Sequence, residues 1–485
     1  MRTPDASTAT FWTLPRAVGA AGAAHALAWS LLPPLYLGNL HTDTVEALSW
    51  ASHWDWGYFK HPPLVVWLFK AALALPGPRL VNFLIISQLS VLISAALIWQ
   101  NVRTLKDAEA AAAAVCLYLA SPPATYFAVQ INHNSLSIPF DAAILCFGIL
   151  FLEKRRTRDI AVLGVIVGFA LLTKYQTAFF PMTLAILAVA NPKYRWVWSD
   201  WRGYAAALLA LLIFAPHVWW DFNHGWRTLL YASSDRPLRG WADIGLSLNE
   251  LFDGMLMAAV GPIFCWFIMG RPRLTKSDPA VFRLGVGIAA TPIVIMTFLG
   301  FLSGQVLRQG WLIPLIPSVA IGLGLAFKIG RTPSPSELAM RTIFVSYGQV
   351  AAFAAFLAVR AITGHAVAAY SLDGKTLASK IESEWRTAHK GPVPCMLIPN
   401  RTFGLSTMLW LKPLPQVFDL PTSPSREADL SPCAASGGVI LTPEDTAANA
   451  YLDAQGLKSD SASVTNTPAI GANIWSFRIY QIERR

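Results

Sequence analysis

Asp43 and Glu46 stand three residues apart in LHTDTVEALSW, and Lys60, His61, Pro62 and Pro63 follow in the same loop. On a helix that spacing puts both carboxylates on one face, with Trp50 and Trp54 continuing the stripe. A carboxylate within reach of a hydroxyl can act as a general base, and Asp43 is the candidate. Glu46 has three readings: it assists Asp43, orients the hydroxyl-bearing substrate, or holds a metal. Lys60, His61, Lys174, Arg227 and Arg308 are candidate cations for an anionic substrate group, because charge developing on a leaving group must be met by fixed positive groups. Each also has a structural reading. Lys60 can snorkel from an amphipathic helix, His61 can cap the turn before its proline pair, Arg308 can anchor at lipid headgroups, and Arg227 can be solvated. Lys174 sits in a very short turn between two apolar segments, where a lone cation is costly unless it is paired or working. Asp141, inside another apolar segment, calls for a functional or a hydrogen-bonded structural explanation. The sequence contains no Gly-rich phosphate loop, no Cys/His metal spacing and no nucleophile elbow.

A helix beginning near Thr42, capped by Thr or Asp, would seat Asp43 and Glu46 at a bilayer surface through its Trp, Leu and Val positions. Pro62 and Pro63 end that run, and PLVVWLFKAALAL resumes as a second apolar helix, too short to span comfortably. The bilayer itself follows from composition. The 485 residues are 54% hydrophobic and only 14% charged, with 19 Trp and 26 Phe, and the mean hydropathy is +0.45. A soluble domain carries about 25% charge, so disorder is excluded and an ordinary soluble enzyme is not expected. Apolar runs near 17–37, 80–100, 110–129, 136–152, 159–173, 175–190, 203–220, 255–270, 283–303, 310–328 and 342–363 predict about eleven transmembrane helices. The first run continues through AWSLLPPLYLG, which argues against a removable signal peptide.

The net charge of +10 suits either a nucleic-acid partner or the cytoplasmic bias of membrane proteins. With the N-terminus cytoplasmic, its tail and the loops 101–109, 153–159, 191–202, 271–283 and 328–341 hold about 18 basic against about 8 acidic residues, which accounts for the whole excess. No basic patch is left for nucleic acid. The external side then receives 38–79, 221–254 and the segment beyond 363. Trp196, Trp198 and Trp201, beside Arg195 and Arg202, read as an interfacial belt.

Residues 1–363 therefore form a transmembrane module. Residues 364–485 read as a small soluble periplasmic α/β domain built on short apolar runs such as CMLIP, GGVILT and IWSFRIYQIE. Cys395 and Cys433 fall in this tail and can pair if it is periplasmic, whereas Cys116, Cys146 and Cys265 fall in apolar segments. The fold class is an all-α polytopic membrane protein with this α/β unit appended.

An acidic residue just outside the first span, then aromatic residues, then Lys60-His61-Pro62-Pro63 ahead of an interfacial helix: this order resembles the polytopic glycosyltransferases of the GT-C fold. The likeness is to the branch containing the protein O-mannosyltransferases, the lipid A aminoarabinose transferases and the rhizobial lipopolysaccharide galacturonosyltransferases. Asp43 and His61-Pro62-Pro63 match that family's first external loop. Weaker signatures extend the resemblance over roughly 10–330: Asn132 and Asn134 in QINHNSLSIPFD, GFALLTKYQTAFFP around Lys174, APHVWWDFNHGW and RQGWLIPLIP. The aminoarabinose transferases carry an acid where this chain has Lys60, and the tandem Asp-Glu of many relatives is here Asp43-Thr44. A divalent metal is thereby put in question, and Glu46 is not expected to replace the missing ligand easily from across the loop.

The resemblance implies a glycosyltransferase that moves a hexosyl or pentosyl group from a polyprenyl-phosphate-linked donor to a lipid, lipopolysaccharide or other envelope acceptor. The reaction would take place at the external face of a bacterial inner membrane, with inversion and with Asp43 as general base. A transporter or flippase of lipid-linked sugars is the alternative. Such proteins place ionisable residues and broken helices near mid-membrane, often in repeated halves, and no internal repeat occurs here. A surface receptor or assembly subunit, with the tail as its working part, is a third reading. The rhizobial branch suggests galacturonic acid as the sugar, with mannose and aminoarabinose still open, and the acceptor is equally open.

Overall fold

The computed structural model describes residues 12–234, 237–330, 332–363, 365, 367, 370, 372–398, 405–419, 436–442, 459–468 and 474–482. Each of the eleven apolar runs contains helix. Seven helices are long and apolar enough to cross a bilayer: Arg79–Leu105, His133–Lys154, Trp201–Asn223, Trp241–Ile268, Pro279–Leu302, Gln309–Ala326 and Pro335–Ile362. An eighth crossing would be the pair Ala108–Leu119 and Pro122–Val129, bent by 69° where Pro122 and Pro123 interrupt the backbone ladder. The remaining runs, Leu14–Leu31, Thr157–Leu171 and Phe179–Ala190, are shorter or less apolar. Length and composition therefore support seven or eight spans among the described residues, against the eleven apolar runs. Leu211, Leu212, Trp219, Phe252, Phe298 and Phe344 face outward from these helices, as lipid-exposed surfaces require. The chain is a multi-pass membrane protein.

Strands β1 (Leu274–Lys276) and β2 (Phe327–Ile329) pair antiparallel between helices. The tail holds β3 (Cys395–Ile398), β4 (Gln416–Asp419), β5 (Gly438–Thr442), β6 (Ser459–Pro468) and β7 (Ile474–Ile482) in the order β4-β3-β5-β7-β6. Its first three strands run parallel, and β7 joins antiparallel to both β5 and β6. Helix Gly374–Ala388, capped by the Asp373 carboxylate on the Thr376 N–H, buries Leu377, Ile381 and Trp385.

The tail thus has the α/β character read from its sequence, but its core is not its own. Leu377, Ile381, Met396 and Val439 belong to one hydrophobic cluster with Trp29, Leu48, Val65, Phe69 and Phe83. Polar links reinforce this. The Gly38 N–H donates to Tyr370 O at 2.9 Å, Asn39 Nδ2 to Ser406 O at 2.6 Å, and Arg79 to the carbonyls of Leu409 and Leu411. Tail and first loop therefore share one side of the bundle. Cys395 is disulfide-bonded, and Cys433 lies outside the described residues. Cys116, Cys146 and Cys265 are free and buried.

Candidate active site

The helix that carries Asp43 spans Thr42–Trp50, but its cap is His41 rather than Thr42 or Asp43. His41 Nδ1 accepts from the Asp43 N–H at 3.3 Å, which leaves the Asp43 carboxylate to point elsewhere. That carboxylate, 56% exposed, accepts from Asn132 Nδ2 at 3.4 Å. Asn132 is held in turn by the next element. Its Oδ1 accepts from the N–H groups of Asn134 (2.9 Å) and Ser135 (3.2 Å), while Ser135 Oγ accepts from the Asn132 N–H at 3.0 Å. This capping box opens helix His133–Lys154 and fixes which end of the amide faces Asp43. Burial lowers the His41 pKa, with Asp43 opposing, and Tyr370 from the tail brings its ring to 6.0 Å from that of His41.

The aromatic stripe stops with the helix at Trp50, so Trp54 does not extend it. Trp54 instead lies 6.2 Å from Trp67 between ring centroids, with Lys70 over its face. Glu46, one turn beyond Asp43, is buried and meets Lys60 Nζ at 2.8 and 3.0 Å through its two oxygens. It reaches across the loop because the Asp43 helix packs on helix Leu64–Ala74 that follows the proline pair. What it meets there is an ammonium. A carboxylate neutralised by Lys60 does not fit a divalent-cation site, and no cluster of three His, Cys, Asp or Glu side chains suited to a metal occurs among the described residues.

Behind Lys60, the rings of His61 and His133 lie 3.9 Å apart. His61 is held well below its usual pKa, first by burial and then by the positive fields of His133, Lys174 and Lys60. Lys174 donates to Asn134 Oδ1. Burial brings its pKa down to about 8, the carboxylates of Asp141 and Asp43 oppose that shift, and Arg308 adds to it. Asp141 is fully buried within helix His133–Lys154. Lys60, His61, Lys174 and Arg308 thus act on one another in a single cluster beside Asp43. Arg227 stands apart from it, exposed, with its guanidinium 6.0 Å from the Phe59 ring.

Three participants carried no signal that the sequence reading used. His133 lies between the two asparagines of QINHNS, Tyr231 in the 221–254 loop, and Tyr370 in the tail. Tyr231 sits under Lys60, 5.3 Å from its Nζ, and 6.3 Å from His61. A buried chain of polar contacts holds these loops together. His217 Nδ1 donates to Trp56 O at 2.7 Å, and its Nε2 contacts Tyr175 OH at 2.7 Å. Tyr175 OH also contacts Thr228 Oγ1, which donates to Asp221 at 2.8 Å. Gly57 is required in this arrangement, since a Cβ there would come within 2.2 Å of the Trp220 ring.

Residues 60–220 match the family described as dolichyl-phosphate-mannose-protein mannosyltransferase. The lipopolysaccharide core galacturonosyltransferase RgtB of Rhizobium johnstonii is 26% identical over 356 residues, 68% of this chain and 70% of that protein. RgtA of the same organism, with the same description, is 27% identical over 339 residues, 64% of this chain and 66% of that protein. Among solved structures, ArnT from Cupriavidus metallidurans bound to undecaprenyl phosphate superposes with a TM-score of 0.61 at 14% identity, covering 98% of both chains. At that identity the last match speaks for the fold alone, and the first three are sequence likenesses to glycosyltransferases. Taken together they support a membrane-embedded glycosyltransferase with the fold of ArnT.

Proposed function

We propose that the chain transfers a sugar, a hexuronic acid by preference, from a polyprenyl-phosphate carrier to a lipopolysaccharide or related envelope acceptor at the periplasmic face of the inner membrane. The observation that carries this reading is the half-exposed Asp43 carboxylate, aimed by Asn132 and set beside a cluster of four bases. Asp43 takes the proton of the acceptor hydroxyl. The hydroxyl oxygen attacks the anomeric carbon from the face opposite the carrier, so configuration inverts. The carbon–oxygen bond to the carrier breaks with its electron pair on the phosphate, where the charges of Lys60, Lys174 and Arg308 and a ring N–H of neutral His61 meet the added charge. Glu46 acts by holding Lys60 in place. Arg227, exposed at the rim, is available to a sugar carboxylate.

The galacturonosyltransferase relatives support the sugar and acceptor, and the undecaprenyl phosphate bound to ArnT supports the carrier. The tail's contacts with loop 38–79 support a common side for both, and a disulfide at Cys395 suits an oxidising compartment. In this reading the N-terminus is cytoplasmic and residues 364–485 are periplasmic. The test is transfer by the purified protein from synthetic polyprenyl-phosphate sugars to lipopolysaccharide core. Asp43→Asn should cut kcat by about 10²- to 10⁴-fold with donor affinity retained. Full activity in a normally inserted Asp43→Asn protein would remove the base. Carrier translocation without glycosidic bond formation would instead support a flippase.

A further inference from the structure

Helix His133–Lys154 has the site at its first turn and, 22 residues on, about 30 Å away, a second concavity at its other end. A cleft of about 310 Å³ opens there between Leu152, Ile160, Leu184, Val197, Trp198 and Tyr204, within the roughly 300–1,000 Å³ of small-molecule sites. Its lining is almost wholly apolar, and Trp198 and Tyr204 are exposed, the aromatic pattern of a membrane–water boundary.

The two loops flanking this end, 153–159 and 191–202, carry seven basic and three acidic residues. The acids are already engaged: Glu153 by Lys193 and Tyr194, Asp159 by Arg158, and Asp200 by Arg202. Lys154, Arg155, Arg156 and Arg195 are exposed and form no ion pair among the described residues. Arg155 is steadied in a left-handed backbone conformation with its guanidinium 4.3 Å from the Trp196 ring. Positive charge in the connecting loops serves orientation wherever it falls. Here it falls in the two loops next in sequence to Leu152 and Val197 of an apolar cleft that has aromatic residues at its edge.

We propose that this end of the bundle is a binding site for an anionic phospholipid, with one acyl chain in the cleft and the phosphate headgroup on the arginines around its mouth. Basic pockets between transmembrane helices recognise such headgroups through the same combination of apolar depth and cationic rim. The site is independent of the glycosyl-transfer chemistry at the opposite end.

The experiment uses the full-length protein, stripped of lipid in detergent, titrated with phosphatidylglycerol or phosphatidylcholine and read by native mass spectrometry. Phosphatidylglycerol should bind at least about tenfold more tightly than phosphatidylcholine. Ala207 also lines the cleft, and Ala207→Trp, which fills it, should abolish retention of both lipids. The triple change Arg155→Gln, Arg156→Gln and Arg195→Gln should bring phosphatidylglycerol down to the phosphatidylcholine level. Equal binding of the two lipids by the unaltered protein would overturn the headgroup assignment without recourse to any variant. Phosphatidylglycerol retention unchanged in Ala207→Trp, or polyprenyl phosphate retention lost in Ala207→Trp, would overturn the proposed occupant.

Discussion

Two lysine–glutamate pairs sit at opposite ends of the same helical bundle. Lys60 meets Glu46 at 2.8 Å beside the site, and Lys193 meets Glu153 at 2.7 Å at the far end. Distance does not separate them, but burial does. The first pair is 14% and 12% exposed, the second 60% and 20%. An exposed pair contributes about 0–1 kcal/mol, whereas removing one partner of a buried pair costs about 3–5 kcal/mol. A cation that is expensive to keep calls for a function, and one that is cheap to keep does not. By that criterion the working charges are those of Lys60, Lys174 and Arg308, with His61 held neutral among them.

Lys60→Met tests the contrast most severely. It takes positive charge from beside a buried carboxylate, so stability should fall by on the order of 3 kcal/mol, and transfer should fall by about 10²-fold or more if Lys60 also meets the carrier phosphate. The double variant Lys60→Met with Glu46→Gln separates the two effects. Stability should return and transfer should not. If transfer returns as well, Lys60 is only the counter-ion of Glu46, and the two ends differ in burial but not in function.

Lys174 sharpens the comparison through pH. With its pKa at about 8, it is charged at neutral pH and loses that charge as pH rises past 8. The donor KM should therefore climb between pH 8 and 9.5, approaching about tenfold per unit. Lys174→Arg, which stays charged, should flatten that limb even if its kcat is lower. Stability moves the other way. An unfolded lysine keeps its proton up to about its ordinary 10.5, so this group makes the folded state more stable as pH rises from 8 to 10.5. A rising KM in that window is then not an unfolding signal. A wild-type KM that is flat to pH 9.5 would remove Lys174 from the phosphate site.

Asn132→Asp should have a smaller effect, several-fold at neutral pH. Aspartate caps a helix as well as asparagine does, so helix His133–Lys154 should keep its stability. A second carboxylate would, however, replace the donor 3.4 Å from Asp43. The acid limb of the kcat profile should move up by about one unit, as like charges raise the pKa of the pair. Asn132→Ala loses the cap and the donor together, and should lower the melting temperature as well as the rate. An unmoved acid limb in Asn132→Asp would mean that Asn132 does not face the catalytic carboxylate.

What the sequence made legible is what depends on near neighbours. Apolar runs became helices because a backbone in lipid must satisfy its own hydrogen bonds, and Asp43 and His61 stood out because their loop carries a local motif. The partners that complete the site come from far along the chain. Asn132 joins Asp43 across 89 positions and Lys174 joins Asn134 across 40. Tyr231 and Tyr370 arrive from segments whose own patterns say nothing of Lys60 or His41. Glu46 pairs with Lys60 fourteen positions on, a contact that neither residue's neighbours announce. The tail was read correctly as α/β in character, but apolar alternation names a buried face without naming what covers it. In this molecule much of that cover is the first loop.

The last contrast is the mildest. Lys193→Met removes an exposed cation, and Tyr194 OH still donates to Glu153 at 2.6 Å, so the carboxylate keeps a partner in the variant. Stability should change by no more than about 1 kcal/mol, and transfer should stay within twofold. High salt gives an independent check, since screening acts on exposed charges far more than on buried ones. Raising ionic strength should reproduce the Lys193→Met stability in the unaltered protein while leaving the Lys60 contribution largely intact. If Lys193→Met instead slows transfer as much as Lys60→Met, burial is not what distinguishes the two ends, and a coupling along helix His133–Lys154 would have to carry the effect from one to the other.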